Sequence, residues 1–283
     1  AMNWLGLDWD EGPGVGGPHG PYFQMQRLDL YKAYAEKLIA AGAAYRSYET
    51  KEELAAAREA ATAAGIKAFK YESPWRDRTD GPIDQPHVIR FKMPRTDKAF
   101  GFDDLVYGYI EKKASDLDDW IMVRPDGVPT YNFGAAVDDL TMGITLVARG
   151  DDHVNNTPAQ VAIFEALGVP SPKFAHLPMI LGADKTRLSK RHGAVSVTQY
   201  RDDGFLPHAL VNFLARFGWS HGNQELFTRE ELIQFFGFDH VGKSAGVFNP
   251  EKLLAVNNHW MKTFPETEIA RLLLPHLEKR GLT

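Results

Sequence analysis

Apolar and polar positions along the chain follow two rhythms in turn. Between residues 24 and 41, Leu28, Tyr31, Ala35, Leu38 and Ile39 recur every three or four positions and Gly42 ends the run. That spacing predicts an amphipathic helix. A second helix is predicted from Thr50, where Thr50 and Glu53 have the spacing of a capping box, to Gly65. The texture then changes. The segment "YESPWRDRTDGPIDQPHVIRFKMP" carries four prolines and reads as a loop entering a strand, "VIRFKM". Two further strands are predicted at "DLVYGYI" and "DDWIMVR", and "RPDGVP" is a turn. Residues 45–130 therefore read as an α+β insertion.

Beyond residue 130 the pattern becomes a β–α alternation. "PTYNFGAAVDDLTMG" is helical and "ITLVARG" is a continuous apolar run, as in strands buried on both faces of a parallel sheet. "NTPAQVAIFEALG" is a helix with Thr157 as N-cap, Pro158 at the first helical position and Gly168 as its stop, and "AHLPMIL" is another strand. The alternation predicts a doubly wound α/β sheet. The last third is helical, through "LPHALVNFLARFG", "TREELIQFFG", "PEKLLAVNNHWMK" and "PETEIARLLLPHLEKRG", with Thr228 and Glu231 again at box spacing.

Composition narrows the function classes. The chain has 283 residues, long enough for sizeable cores in two domains or one elaborated domain. Its net charge of -5 carries no global nucleic-acid signature, so phosphate binding has to come from local clusters. The absence of cysteine excludes disulfides, thiolate metal sites and cysteine nucleophiles. No apolar run approaches a membrane span and no signal pattern opens the chain, so a soluble cytoplasmic protein is the expectation. Ala1 precedes Met2, which is read as a cloning scar or as a sign that the chain is a piece of a longer protein.

Three stretches carry candidate chemistry. "VARGDDH" sets Arg149, Asp151, Asp152 and His153 directly after a strand, where open α/β sheets bind ligands. Arg149 can fork onto a carboxylate or phosphate; the alternative is a turn in which Asp152 caps the next helix and Arg149 makes a structural ion pair. "KTRLSKRHGA" gathers Lys185, Arg187, Lys190, Arg191 and His192 around Ser189 and Gly193. It is either a solvated loop or an anion grip, in which each charge contact to a transition state is worth roughly 3 kcal/mol. In "DGVPTYNFGAAVDD", Tyr131 starts a helix and can reach a small polar ligand or be simply half-buried. Asp138 and Asp139 are adjacent and point to different helix faces, which argues against a paired acid or metal site. Of the ten histidines, only His153 stands out as a candidate; a structural or surface role is expected for the others.

The order of these stretches is more specific than any one of them. "DGVPTYNF", "VDDLTMGIT", "ARGDDHVNNTPAQVAIFEALG" and "HLPMILGADKTRLSKRHGAVSVTQYRDDGFLPHALVNFLARFGWS" closely resemble the catalytic region of bacterial glutamyl-tRNA synthetases. "LGLDWDEGPGVGGPHGPYFQMQRLDLY" resembles the stretch after the family's first βα unit, and "KSAGVFNPEKLLAVNNHWMK" its helical stem-contact region. The resemblance implies a class I synthetase fold lacking its first βα unit. Residues 1–44 and 131–195 would form a split nucleotide-binding fold, 45–130 an inserted acceptor-stem domain, and 196–283 a helical stem-contact domain.

The chemistry implied by the resemblance is glutamate–tRNA ligation. Glutamate reacts with ATP, accompanied by Mg2+, to form glutamyl adenylate, and the glutamyl group passes to the 3′ end of tRNA(Glu). Lys190 would hold the phosphates as the catalytic residue, with Arg187, Ser189, His153 and Ile180 completing the ATP site. Tyr131, Arg149 and Asp152 would line the L-glutamate pocket. A monomer is expected.

Three departures from the family pattern qualify this. Arg187 stands where the second signature, KMSKS, has its first lysine. The zinc-knuckle positions of many relatives are Ser47, Glu49, Trp75 and Asp77, a poor zinc set without thiolate or imidazole, so no metal is expected and packing around Trp75 is expected to substitute. The first signature, HIGH, and a second carboxylate-binding arginine are absent, so the chain reads as a truncated synthetase, inactive alone. The alternatives are a non-catalytic tRNA-binding paralogue or the shortened relative that glutamylates a modified tRNA base.

Overall fold

The computed structural model describes residues 1–66, 69–82, 84–188 and 196–282. At the N-terminus, α1 (Met2–Leu5) is followed by a long loop and a 3-10 turn, Gln24–Gln26. That turn leads into α2 (Leu28–Ala40), which buries Tyr31, Ala35 and Leu38 along one stripe, as the apolar spacing predicts. Strand β1 (Ala44–Ser47) and helix α3 (Lys51–Ala63) follow. The Thr50–Glu53 capping box forms, with Glu53 N donating to Thr50 Oγ1 at 3.1 Å and Thr50 N to Glu53 Oε2 at 2.8 Å. β1, β2 (Val88–Phe91) and β5 (Ile121–Val123) make an antiparallel sheet in the order β1-β2-β5.

Between β2 and β5 lies a hairpin of β3 (Ala99–Asp104) and β4 (Gly108–Lys113). This corrects the expectation of one strand at "DLVYGYI". Asp104 ends β3, and its Oδ1 accepts from the backbone N–H groups of Val106 and Tyr107, both at 2.9 Å. Gly108 has φ +81°, a conformation side-chain-bearing residues avoid. The side chain of Asp104 thus turns the chain inside the apolar run, a competition between side chain and backbone that hydrophobicity does not register.

The hairpin docks on the site-bearing layer. Helix α4 (Tyr131–Thr141), strand β6 (Leu146–Gly150), helix α5 (Thr157–Ala166) and strand β7 (Lys173–Leu177) follow in chain order. β6 and β7 pair in parallel over five residues, and the sheet order is β4-β3-β7-β6. This β6–α5–β7 unit is the parallel α/β element predicted from the β–α alternation. Two details differ from expectation. β6 is an outer strand among the described residues, with Leu146 36% exposed. "AHLPMIL" is divided at Pro178: β7 ends at Leu177, and β8 (Ile180–Leu181) pairs in parallel with β9 (Gly246–Val247) in a separate small sheet.

The largest apolar cluster contains Tyr31 and Leu38 from α2, Phe91 from β2, Phe102 from β3, Phe133 from α4 and Phe174 from β7. One core therefore runs through residues on both sides of positions 44 and 130. The C-terminal helices α6 (Val197–Asp202), α7 (Pro207–Ala215), α8 (Arg229–Phe235), α9 (Pro250–Thr263) and α10 (Glu266–Lys279) pack around smaller clusters. The Thr228–Glu231 box forms at the start of α8.

A buried amide on α7 ties it to α9 and to the segment before α8. Asn212 Nδ2 donates to Glu225 O at 2.9 Å, while Oδ1 accepts from Phe227 N at 3.0 Å and Trp260 Nε1 at 3.2 Å. Removing it orphans two buried N–H groups and the part-buried Glu225 carbonyl. N212A is therefore expected to lower the unfolding free energy by about 2–3 kcal/mol. A parent-like thermal midpoint would show that these bonds are dispensable.

Candidate active site

The site is built at the carboxyl end of β6. In the parallel register Arg149 lies opposite His176, so both side chains leave the sheet on one face. Arg149 Nε donates to His176 Nε2 at 3.1 Å, Nη1 to the Tyr131 hydroxyl at 3.1 Å, and Nη2 to Thr157 Oγ1 at 2.8 Å and Gln160 Oε1 at 2.9 Å. Tyr131 is the first residue of α4 and Thr157 the first of α5; Gln160 lies one turn further along the same face of α5. Two helix starts and two strands therefore converge on one guanidinium.

All four acceptors are neutral. No carboxylate forms an ion pair with Arg149 among the described residues, so the structural-pair alternative does not apply. One of the five guanidinium N–H groups, on Nη1, remains available. Because the Tyr131 oxygen accepts from Nη1, its own proton is free to donate. Tyr131 is 49% exposed, so both donors lie where the network opens toward solvent. Such a pair suits a carboxylate, the anion that matches a fork of donors.

Of the other predicted residues, His153 contacts this network. The His153 ring lies 5.1 Å from that of Tyr131 and its Nδ1 bonds to Asn156 Nδ2 at 3.1 Å. Asp152 does not cap α5; its Oδ2 pairs with Arg187 Nη1 at 3.1 Å. Gly150 lets that carboxylate fold back, since a Cβ there would meet Asp152 Oδ1 at 2.6 Å. Arg187 reaches Asp152 because residues 180–188 double back, with Leu188 N donating to Ile180 O at 2.9 Å and Gly182 N to Thr186 O at 2.8 Å. Ile180 itself is half-buried in β8. Ser189 and Lys190 lie outside the described residues.

Four participants are not among the residues predicted from sequence. Thr157 is not the N-cap of α5, a position held by Asn156; its hydroxyl is turned inward to Arg149. Gln160 and His176 are buried acceptors, and Asp104 stands behind His176, 2.5 Å from its Nδ1. Only the strand register and the packing of α5 bring them together, although a glutamine and a histidine in otherwise apolar stretches are a usable signal.

The knuckle positions are occupied by a different arrangement. Glu49 accepts from the hydroxyls of Ser47 and Ser73, both buried, and Arg90 Nε donates to Ser47 Oγ at 3.0 Å. Trp75 packs on Tyr48, with ring centroids 4.7 Å apart, and its backbone N–H donates to Ser73 Oγ at 3.1 Å. Asp77 faces outward and pairs with Lys92 at 2.7 Å, which holds its carboxyl below the usual range.

Class I tRNA synthetases (E and Q) have a catalytic-domain model that matches residues 1–255, and the chain belongs to that family. Among its relatives, the glutamate–tRNA ligase of Anaeromyxobacter dehalogenans is 58% identical over 282 residues, covering 100% of this chain and 59% of the relative. That of Geobacter sulfurreducens is 54% identical and is covered to 58%. The chain thus spans about three-fifths of the length of the curated relatives it matches. The crystal structure of glutamate-tRNA synthetase from Elizabethkingia anophelis superposes with a TM-score of 0.85 at 31% identity, covering 100% of this chain and 63% of that one. The glutamate tRNA ligase of Elizabethkingia meningosepticum, solved in complex with its amino acid, gives 0.87 at 31% identity, covering 100% and 62%. The α/β fold is that of the class I synthetases.

Two outcomes follow from the local energetics. Burial pushes Asp139 up to about 6, and Asp138 adds to the rise while the Arg149 guanidinium opposes it. The folded protein holds this proton more tightly than the unfolded chain, so ionised Asp139 destabilises. The loss develops between about pH 4 and pH 6 and is complete above. D139N should raise stability by about 1–3 kcal/mol at pH 7 and leave it unchanged at pH 4, read from thermal midpoints. At the knuckle, E49A strips two buried serine hydroxyls of their acceptor and should lower stability by about 1–3 kcal/mol. Treating the parent protein with a chelator should leave its midpoint in place.

Proposed function

We propose that the protein is a glutamate–tRNA ligase. It joins the α-carboxylate of L-glutamate to the α-phosphate of ATP, releasing pyrophosphate. It then transfers the glutamyl group to the terminal ribose of tRNA(Glu), releasing AMP. The observation that carries this reading is the half-buried Arg149 guanidinium held by neutral acceptors, in a chain whose relatives bear that name. Its charge remains for a ligand, and with Tyr131 it offers two donors to a glutamate carboxylate, while Asp152 lines the same pocket.

On the nucleotide side, Lys190 would hold the ATP phosphates through the pentavalent transition state, as the catalytic residue. Ser189 would allow close backbone approach, and His153 and Ile180 would flank the adenosine. Arg187 pairs with Asp152 through Nη1 and keeps further N–H groups for phosphate. Mg2+ supplies charge neutralisation when it arrives with ATP. Among the described residues no group of three or more acidic or histidine side chains is arranged to hold a cation. An ion carried on substrate phosphates needs few protein ligands.

By the same reading, residues 1–44 and 131–195 form the nucleotide-binding fold, and 45–130 and 196–283 face the tRNA acceptor stem. The protein acts as a monomer in the cytoplasm; no helix among the described residues is long and apolar enough to cross a membrane.

The test is L-glutamate-dependent exchange of pyrophosphate into ATP by the full-length protein. R149A should weaken glutamate binding at least a hundredfold, as expected when a charge-assisted, multiply bonded contact is lost, with ATP binding little changed. Exchange that is absent in the parent protein, with tRNA binding intact, would favour a non-catalytic paralogue.

A further inference from the structure

His176 is completely buried, and its two ring nitrogens face different demands. Nδ1 lies 2.5 Å from Asp104 Oδ2, and Nε2 lies 3.1 Å from Arg149 Nε and 3.3 Å from Thr157 Oγ1. An arginine Nε always carries its hydrogen and cannot accept. Nε2 must therefore be the bare, accepting nitrogen, which puts the ring proton on Nδ1, donated to Asp104. Asp104 also accepts from the backbone N–H groups of His176 at 3.1 Å and of Val106 and Tyr107 at 2.9 Å.

We propose that Asp104 locks His176 in the neutral, Nδ1-protonated tautomer, and that His176 is thereby a positioning residue for Arg149. It fixes the guanidinium at Nε through an uncharged acceptor, so the plane is held and the positive charge is kept for the ligand. A carboxylate at the same place would hold the plane equally well and cancel the charge. The acid is instead set back by one ring, and its own charge is satisfied by four donors. This rests on the reading of Arg149 as the group that binds the amino-acid carboxylate.

The surroundings keep the ring neutral. The charged and titratable groups facing it are Asp104 from β3, Arg149 from β6 and His153 from the 3-10 turn Asp151–Asn156. Burial pushes the imidazole below its ordinary value; Asp104 opposes this, while Arg149 and His153 reinforce it. The rings of Phe102 and Phe174 wall off the rest, with centroids 6.0 Å and 6.3 Å from that of His176. A second ring proton would set N–H against N–H at Arg149.

The imidazole nitrogen shifts of the full-length protein, labelled with 15N-histidine and assigned through the His176 backbone amide, report the tautomer without any ligand. The expected result is a neutral ring protonated at Nδ1 from pH 5.5 to 8, a range about one pH unit below and above the ordinary histidine value. A ring protonated at Nε2, or one that titrates within that range, overturns the proposal. Calorimetry with L-glutamate reads the consequence. H176N keeps a donor for Asp104 but does not reach Arg149, and should bind glutamate about tenfold more weakly; H176Q offers Arg149 a neutral acceptor and should stay within about threefold. H176N binding like the parent, while R149A does not bind, also overturns it. If R149A binds like the parent, the amino-acid reading of Arg149 fails, and the nitrogen shifts still decide the tautomer.

Discussion

A positive charge half-buried at the end of a strand, bonded among the described residues only to neutral acceptors, is the constraint around which this molecule is arranged. A guanidinium withdrawn from water needs its N–H groups satisfied, and a nearby acid would do so most cheaply. Here the work is divided among Tyr131, Thr157, Gln160 and His176, drawn from two helices and a neighbouring strand. The arrangement stabilises the side chain without neutralising it, which is what a site for an anionic ligand requires. The stability forgone at such a position is the usual companion of preorganised binding.

The same acid that supports His176 also turns the β3–β4 hairpin, so the hairpin and the network around Arg149 share a structural element. The next residues extend the connection. The Tyr107 hydroxyl donates to Asp151 Oδ2 at 2.9 Å and to Lys243 O at 3.3 Å, and Lys243 Nζ donates back to Tyr107 O at 3.1 Å. Burial, with Asp151 adding to it, pushes the Tyr107 hydroxyl up to about 12, so it remains a donor at all working pH values. From Lys243 the chain enters β9, which pairs with β8, and the segment after β8 returns through Arg187 to Asp152. The hairpin, the end of β6, the β8–β9 pair and the approach to residues 189–195 are thus linked in a closed circuit of specific contacts.

A second set of contacts organises the segments near residues 47, 75 and 90. Ser47, Glu49 and Ser73 form a small polar cluster under Arg90, beside an aromatic stack of Tyr48 and Trp75. Trp75 packs on Tyr48 and its backbone N–H bonds Ser73, which links the aromatic stack to the serine–glutamate cluster. Hydrogen bonds and ring contacts draw the segments near residues 47, 75 and 90 together through ordinary side chains.

Much of the architecture was legible in the order of residues. Local signals act within a few positions, so the stripe of α2, the boxes at Thr50 and Thr228 and the β6–α5–β7 unit follow from spacing and capping chemistry alone. Motif order likewise pointed to Tyr131, Arg149, Asp152 and Arg187; the structure pairs Arg149 with Tyr131 and Arg187 with Asp152. What only the tertiary structure decided is how those groups are wired. Asp104 turning a hairpin in an apolar run, Thr157 facing inward instead of capping, β6 lying at an edge, and His176 standing between an acid and a guanidinium all depend on strand register and helix docking. Those are long-range pairings, and a side chain whose partner lies tens of residues away carries no periodic mark of it.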